Sequence, residues 1–290
     1  MHMSRAWAVE SAPALRKTPA SIGRAAVVAL YDEVALYPKP GLVSFVDAGS
    51  HSDMDARTFM RSLFALRHYF QQIAALGALG APFAALERCG QDAEARMLGA
   101  TGGINTHRGA IFTLGLLCAA AGAASASGGR LHADLVRQTL CAHWGDALRT
   151  RAHRTSQLPG GRAAQAHGLR SASQEAALGF PTLFETTFPA LEAAFQRGHG
   201  ARWSRLQALM RTMATLDDCN LAHRGGMAGL RFAQAQAHAF LAHGVEPSAN
   251  DPADRLQAMH RAFIDRRLSP GGSADMLAAA CWLRRICQQD

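Results

Sequence analysis

What this 290-residue chain lacks narrows its class before any motif is weighed. Its six cysteines (Cys89, Cys118, Cys141, Cys219, Cys281 and Cys287) form no Cys-x-x-Cys pair and no metal-finger spacing. That argues against a disulfide scaffold or zinc module, and it fits a reducing, cytoplasmic compartment. No stretch alternates apolar and polar residues with a period of two, so strands are not expected. The N-terminus, MHMSRAWAVESAPALRKTPA, lacks the continuous apolar segment of a signal peptide. The longest apolar run, residues 110–124, is interrupted by Thr113, Gly115 and Gly122. It is too short to cross a bilayer comfortably and reads as a buried core helix, with no membrane partner expected.

Acidic residues are also in deficit, 22 against 30 Lys and Arg, for a formal charge of +8. A polyanionic partner follows naturally, as does ordinary solubility charge. No RNA-recognition, zinc-finger or basic-zipper pattern accompanies the charge, and the polar groups gather in turns containing several Asp. A nucleic-acid partner is therefore not expected.

What is present is Ala and Leu. Hydrophobic residues make up 49% and charged residues 18%, a globular composition, and Ala and Leu lose little on entering a helix. Apolar positions at steps of three and four, as in Phe59, Leu63, Leu66, Phe70, Ile73 and Leu76, mark helical faces. Ten helices are expected, near residues 21–37, 58–77, 82–99, 107–124, 131–149, 174–197, 202–217, 224–243, 253–267 and 273–288. Ser21 and Ser273 read as N-caps, and Pro82 as a helix start. Residues 150–170, basic and Gly-rich, form the most loop-like interior segment. The organisation expected is a flexible extension over residues 1–19 and one all-α bundle over 20–290.

Four connectors carry the chemistry. The first, residues 33–55, holds Lys39 in Pro-Lys-Pro-Gly, then Asp47, His51, Asp53 and Asp55. Its three carboxylates within nine residues suit a hard cation such as Mg²⁺, although Asp53 or Asp55 also reads as a helix cap. The second is TGGINTHRG, residues 101–109, directly before an apolar helix. Gly102 and Gly103 let a ligand approach the backbone, the helix start offers free N–H groups, and Asn105, Thr106, His107 and Arg108 add donors. Glu94 on the preceding helix is close enough in sequence to contribute.

The third, LDDCNLAHRGG, places Asp217 and Asp218 at the end of one helix and His223 and Arg224 at the start of the next. Carboxylates at a helix C-terminus oppose its dipole, which points to a nearby cation or to an ion pair with Arg224. The fourth, SPGGSADM, puts Ser269, Gly271 and Gly272 in a tight turn and Asp275 in the first helical turn. Alone, it is ordinary capping chemistry.

In order and together, PKPGLVSFVDAGSHSDMD, MLGATGGINTHRGAIFTLGLL, LDDCNLAHRGG and RRLSPGGSADMLAA resemble the triphosphoribosyl-dephospho-CoA synthase family, over residues 25–283. The resemblance implies a transferase in which the 2′-hydroxyl of 3′-dephospho-CoA attacks the ribose C1 of ATP and adenine leaves. The product is the prosthetic-group precursor for the acyl-carrier subunit of malonate decarboxylase or citrate lyase. The overall look of the chain leans to the former, and the product would pass to a prosthetic-group transferase. One departure is Ser173, where the family pattern has arginine ahead of Glu175 and Gly-Phe-Pro; Arg170 lies three residues earlier.

The residue inventory suits that reaction. Cleaving a ribosyl C–N bond builds positive charge at C1, the attacking hydroxyl needs a base, and a triphosphate needs Mg²⁺ and cationic donors. His51, Asp53 and Asp55 are the expected catalytic group. Lys39, Gly102, Gly103, Asn105, Thr106, His107, Arg108, His223, Arg224, Ser269, Gly271 and Gly272 are expected on nucleotide or phosphate. Glu94, Asp217, Asp218 and Asp275 are expected on Mg²⁺. The competing enzymatic reading is a Mg²⁺-dependent nucleotide or ADP-ribose glycohydrolase on a helical frame. Oligomeric state stays open, a homodimer being one option.

Overall fold

The computed structural model describes residues 17–243 and 251–288, so most of the expected N-terminal extension lies outside the described residues. The expected all-α architecture is present: thirteen α-helices and one π-helical turn, with no strand among the described residues.

Helix α1 (Pro19–Ala35) starts two residues before the expected cap. Thr18, not Ser21, accepts from the backbone at Ser21, and Pro19 occupies the first turn where its missing N–H costs nothing. The apolar stripe expected as one helix divides into α2 (Ala56–Leu66) and α3 (Tyr69–Ala78). Arg67 and His68 keep right-handed helical angles between them, so no Gly or Pro marks the break. Then come α4 (Phe83–Thr101), α5 (Arg108–Ala126) and α6 (Ala133–Ala152).

The segment expected to be loop, 150–170, contains α7 (Pro159–His167), hidden by its opening Pro-Gly-Gly. The helix expected over 174–197 is also divided. It becomes α8 (Ala172–Ala177), a turn through Phe180, the π-helical turn Thr182–Thr187, and α9 (Phe188–Gln196). Phe180 holds φ of 51°, a conformation a bulky residue adopts only under constraint, and its ring is buried. The chain closes with α10 (Gly200–Thr215), α11 (Cys219–Ala242), α12 (Pro252–Asp265) and α13 (Gly271–Cys287). Two divisions and one unexpected helix account for the rise from ten to thirteen.

One continuous apolar core runs from Ile22 on α1 to Ile286 on α13. Its axis is α5, apolar on every face, as a helix surrounded by others must be. Among the described residues α5 alone is long and apolar enough to cross a membrane, yet 83% of that apolar window is buried within the protein, which makes it a core helix. Helix α3 packs closely against it. A Cβ at Gly77 would strike the Ala119 backbone, and one at Gly122 would strike that of Ala74. Tyr69 on α3 donates its hydroxyl to the Ile111 carbonyl, satisfying a phenol that is otherwise fully enclosed. Trp282 ties α13 to α1 through a bond to the Ile22 carbonyl. This packing fixes the starts of α5, α11 and α13 around one cavity. All six cysteines are free thiols.

Candidate active site

The cavity has a volume of about 980 Å³, with room for more than one nucleotide-sized ligand. Its walls come from all four polar connectors, joined by Glu33 of α1 and the α6–α8 region. Separated by more than two hundred residues in the chain, His51 and Ser269 touch here: His51 Nε2 is 3.0 Å from Ser269 Oγ. Arg224 donates to His51 Nδ1 at 3.0 Å and to the carbonyls of Ser50 and Arg267. An arginine only donates, so Nδ1 accepts, Nε2 carries the hydrogen, and the Nε2–H points to Ser269. Burial, and then Arg224, lower the His51 pKa to about 4, keeping the ring neutral.

Asp217 and Asp218 lie elsewhere than expected. Helix α10 stops at Thr215, and Asp218 is the N-cap of α11, where a carboxylate is favoured. The argument that these acids oppose a helix dipole is therefore overturned. Asp218 is buried and its oxygens accept from Asn220 N at 3.0 Å, Gly272 N at 3.3 Å, Ser273 N at 2.8 Å and Ser273 Oγ at 3.0 Å. One carboxylate thus caps two helices. Ser273 is not the N-cap of α13; that position is Pro270, and Ser273 lies inside the first turn donating to Asp218. Burial nevertheless raises the Asp218 pKa against these bonds. The helix expected to open at His223–Gly226 begins earlier, at Cys219, and that segment instead carries a kink inside α11, at Gly226.

Asp275 is the least satisfied carboxylate of the site. It lines the cavity against the start of α5, so closely that a Cβ at Gly109 would overlap its carboxylate. It accepts no hydrogen bond among the described residues. Burial first, then the carboxylates of Glu33 and Asp218, raise its pKa well above the usual range. A carboxylate facing two others without a donor calls for a proton or a cation. Lys39 does not meet that need: it is wholly buried beneath the cavity, its ammonium 2.5 Å from Glu33 and bonded to the Glu33 carbonyl. Burial lowers its pKa, with Glu33 opposing.

The α5 turn is partly self-satisfied. Asn105 Oδ1 accepts from Arg108 N at 3.1 Å, and Arg108 pairs with Glu94 at 2.6 Å. His107 is buried, with Nδ1 2.6 Å from Ser62 Oγ, while its Nε2 and the Thr106 hydroxyl have no partner. Gly102 and Gly103 lie outside the cavity lining, closing α4 with left-handed angles.

The carboxylates of the first connector disperse. Asp47 pairs with His260 at 3.0 Å, Asp53 is exposed 3.6 Å from His51, and Asp55 forms a capping box with Thr58 at the start of α2. None of the three lines the cavity, so they make no shared cation site. Among the described residues no group of three or more His, Cys, Asp or Glu is arranged to hold a metal alone. Glu94, Asp217, Asp218 and Asp275 do share the cavity, with Glu94 and Asp218 engaged as above. The donor set therefore fits a Mg²⁺ held jointly with substrate phosphates, which needs only one or two carboxylates, and not a protein-only cage.

A family model described as ATP:dephospho-CoA triphosphoribosyl transferase matches residues 19–290. The chain belongs to this family. It is 40% identical over 263 residues to the 2-(5''-triphosphoribosyl)-3'-dephosphocoenzyme-A synthase of Pectobacterium atrosepticum, covering 88% of this chain and 85% of the relative. It is 36% identical over 258 residues to the probable synthase of the same name from Acinetobacter calcoaceticus, covering 89% and 88%. No solved structure matches.

Arg170, three residues before the departure at Ser173, lies on the same cavity wall as that serine. Its side chain lies 3.3 Å from the buried Glu175, and its backbone N–H faces Asp217 at 3.4 Å. Glu175 in turn accepts from the hydroxyl of Thr182, just beyond the Phe180 turn. Sequence reasoning missed Glu33, the paired Arg151 and Arg154, which share Glu87, and the α7 start. A signal was available for the last of these: Pro159-Gly160-Gly161 repeats the Pro-Gly-Gly of 270–272.

Proposed function

We propose that this transferase moves the triphosphoribosyl group of ATP onto the 2′-hydroxyl of 3′-dephospho-CoA. The bond from ribose C1 to adenine N9 breaks and a C1–O bond forms. The hydroxyl proton passes to a base, and adenine leaves with a proton. The observation that carries this reading is the convergence of all four connectors on one cavity that pairs cationic donors with unneutralised carboxylates.

Arg108 with Asn105 at the α5 start, and Arg224 with His223 at the kinked α11, are the phosphate donors. Asp217 and Asp275 would hold Mg²⁺ together with the phosphates, and the ion would supply charge neutralisation to the triphosphate. His51 lines the cavity as the candidate base. Its Nδ1 lone pair is engaged by Arg224, and drawing Arg224 onto a phosphate frees it. Asp275 and Glu33 face the region where positive charge develops at C1. The product goes to a prosthetic-group transferase serving malonate decarboxylase or citrate lyase, in the cytoplasm.

Mass spectrometry of a reaction with ATP, Mg²⁺ and 3′-dephospho-CoA tests this. The expected result is a triphosphoribosyl adduct and free adenine, both requiring dephospho-CoA. Adenine release from ATP alone would establish a glycohydrolase instead.

A further inference from the structure

The phosphate and metal roles leave His107, a buried polar side chain of the cavity, unused. His107 Nε2 has no partner, while the other ring nitrogen is held by Ser62 on α2. The adjacent Thr106 hydroxyl is likewise unsatisfied. Buried polar atoms in native proteins are nearly always paired, so two neighbouring exceptions in one ligand cavity point to ligand atoms that complete them.

The chemistry around His107 is not that of a phosphate site. Burial, and then Lys39, lower its pKa to about 4, so the ring brings a phosphate no charge. Phe59 meets the imidazole edge-on with ring centroids 5.0 Å apart, and Leu42, Met54 and Ile111 line the same cavity. A neutral hydrogen-bonding group beside an aromatic face and aliphatic side chains suits a flat heterocycle. The charged donors are on Arg108 and Arg224, which leaves the phosphates well provided without it.

We infer that His107 is the adenine-recognition residue of the ATP site, its Nε2 hydrogen-bonding the purine against Phe59. The inference rests on ATP being the substrate, and it moves His107 out of the phosphate-binding set in which its turn places it. It also makes His107 a specificity residue, because a site built around a hydrogen bond rejects bases that cannot supply the partner.

Calorimetric titration of adenine and of inorganic tripolyphosphate, separately, tests it. His107→Gln keeps an amide near the Nε2 position, whereas His107→Asn keeps only a group able to reach Ser62. His107→Asn is expected to weaken adenine binding about tenfold, the size of one buried hydrogen bond. His107→Gln is expected to retain adenine affinity within roughly threefold, and both variants to bind tripolyphosphate within about twofold of the wild type. In the wild type, which needs no variant to fold, adenine is expected to shift the ¹⁵N resonances of the His107 ring, and tripolyphosphate to leave them in place. Equal losses for adenine and tripolyphosphate, unchanged adenine binding in His107→Asn, or no adenine binding by the wild type overturns the inference. Failure of the synthase reading would show separately, as no adduct from ATP and dephospho-CoA.

Discussion

The starts of α2 and α13 solve one problem in opposite ways. Helix α2 is capped from within: Asp55 accepts from Thr58, three residues on, and Thr58 returns the bond. Helix α13 has no side-chain cap of its own, and its first turn borrows Asp218 from 55 residues upstream through Ser273. A local cap finishes a helix and asks nothing of the rest of the fold. A borrowed cap welds two connectors together, and at α13 the weld holds Asp275 over the cavity. Function gathers at the helix start that was not locally completed.

Replacing Asp218 by Ala should break this contrast most severely. It strands the donors of Gly272, Ser273 and Asn220, and unfolding free energy should fall by about 3–5 kcal/mol in urea titration. A loss under 1 kcal/mol would show that α13 caps itself. Gly109→Ala drives a methyl into the Asp275 carboxylate. It should cost roughly 1–3 kcal/mol and abolish adduct formation, and a wild-type rate would mean Asp275 moves aside freely.

Asp275→Asn sharpens the comparison because it should stabilise while it inactivates. Its pKa is raised by burial and by its neighbouring carboxylates, so the folded chain binds a proton that the unfolded chain has released. Stability from that proton is present at low pH and lost as pH rises through the raised value. The amide suffers no such loss, so its Tm advantage should widen from pH 4 to pH 8, reaching about 2–4 °C, the response to roughly 1 kcal/mol. Turnover should fall at least about a hundredfold. A Tm difference that does not vary with pH would refute the carboxylate cluster. Last, Asp55→Ala should cost about 1 kcal/mol in chemical denaturation, the ordinary worth of a cap, with Thr58→Ala adding little to it.

Much of the fold was legible because helices announce themselves locally. The spacing of Phe59, Leu63, Leu66, Phe70, Ile73 and Leu76 shows which face is buried whatever it packs against. The offset after Leu66 was not legible, since Arg67 and His68 stay helical and only tertiary packing separates α2 from α3. Helix α7 was hidden by glycines that read as loop. At the site, TGGINTHRG and SPGGSADM were visible as turns, but Glu33 lies within a helix and is indistinguishable there from a surface acid. Lys39, in a conspicuous Pro-Lys-Pro-Gly, gave a false lead: its charge is consumed by Glu33 below the cavity.

The sequence by itself determined the all-helical class, most of the helices and their core faces, the family and the four polar turns. These depend on periodicity and on residues adjacent in the chain. Tertiary structure alone decided which polar residues share a cavity and which merely cap a helix. Asp55 and Asp218 are the same residue type in similar turns. Only the approach of α13, set by packing on α1 and α5, gives Asp218 a second helix to hold and leaves Asp275 facing the cavity without a donor.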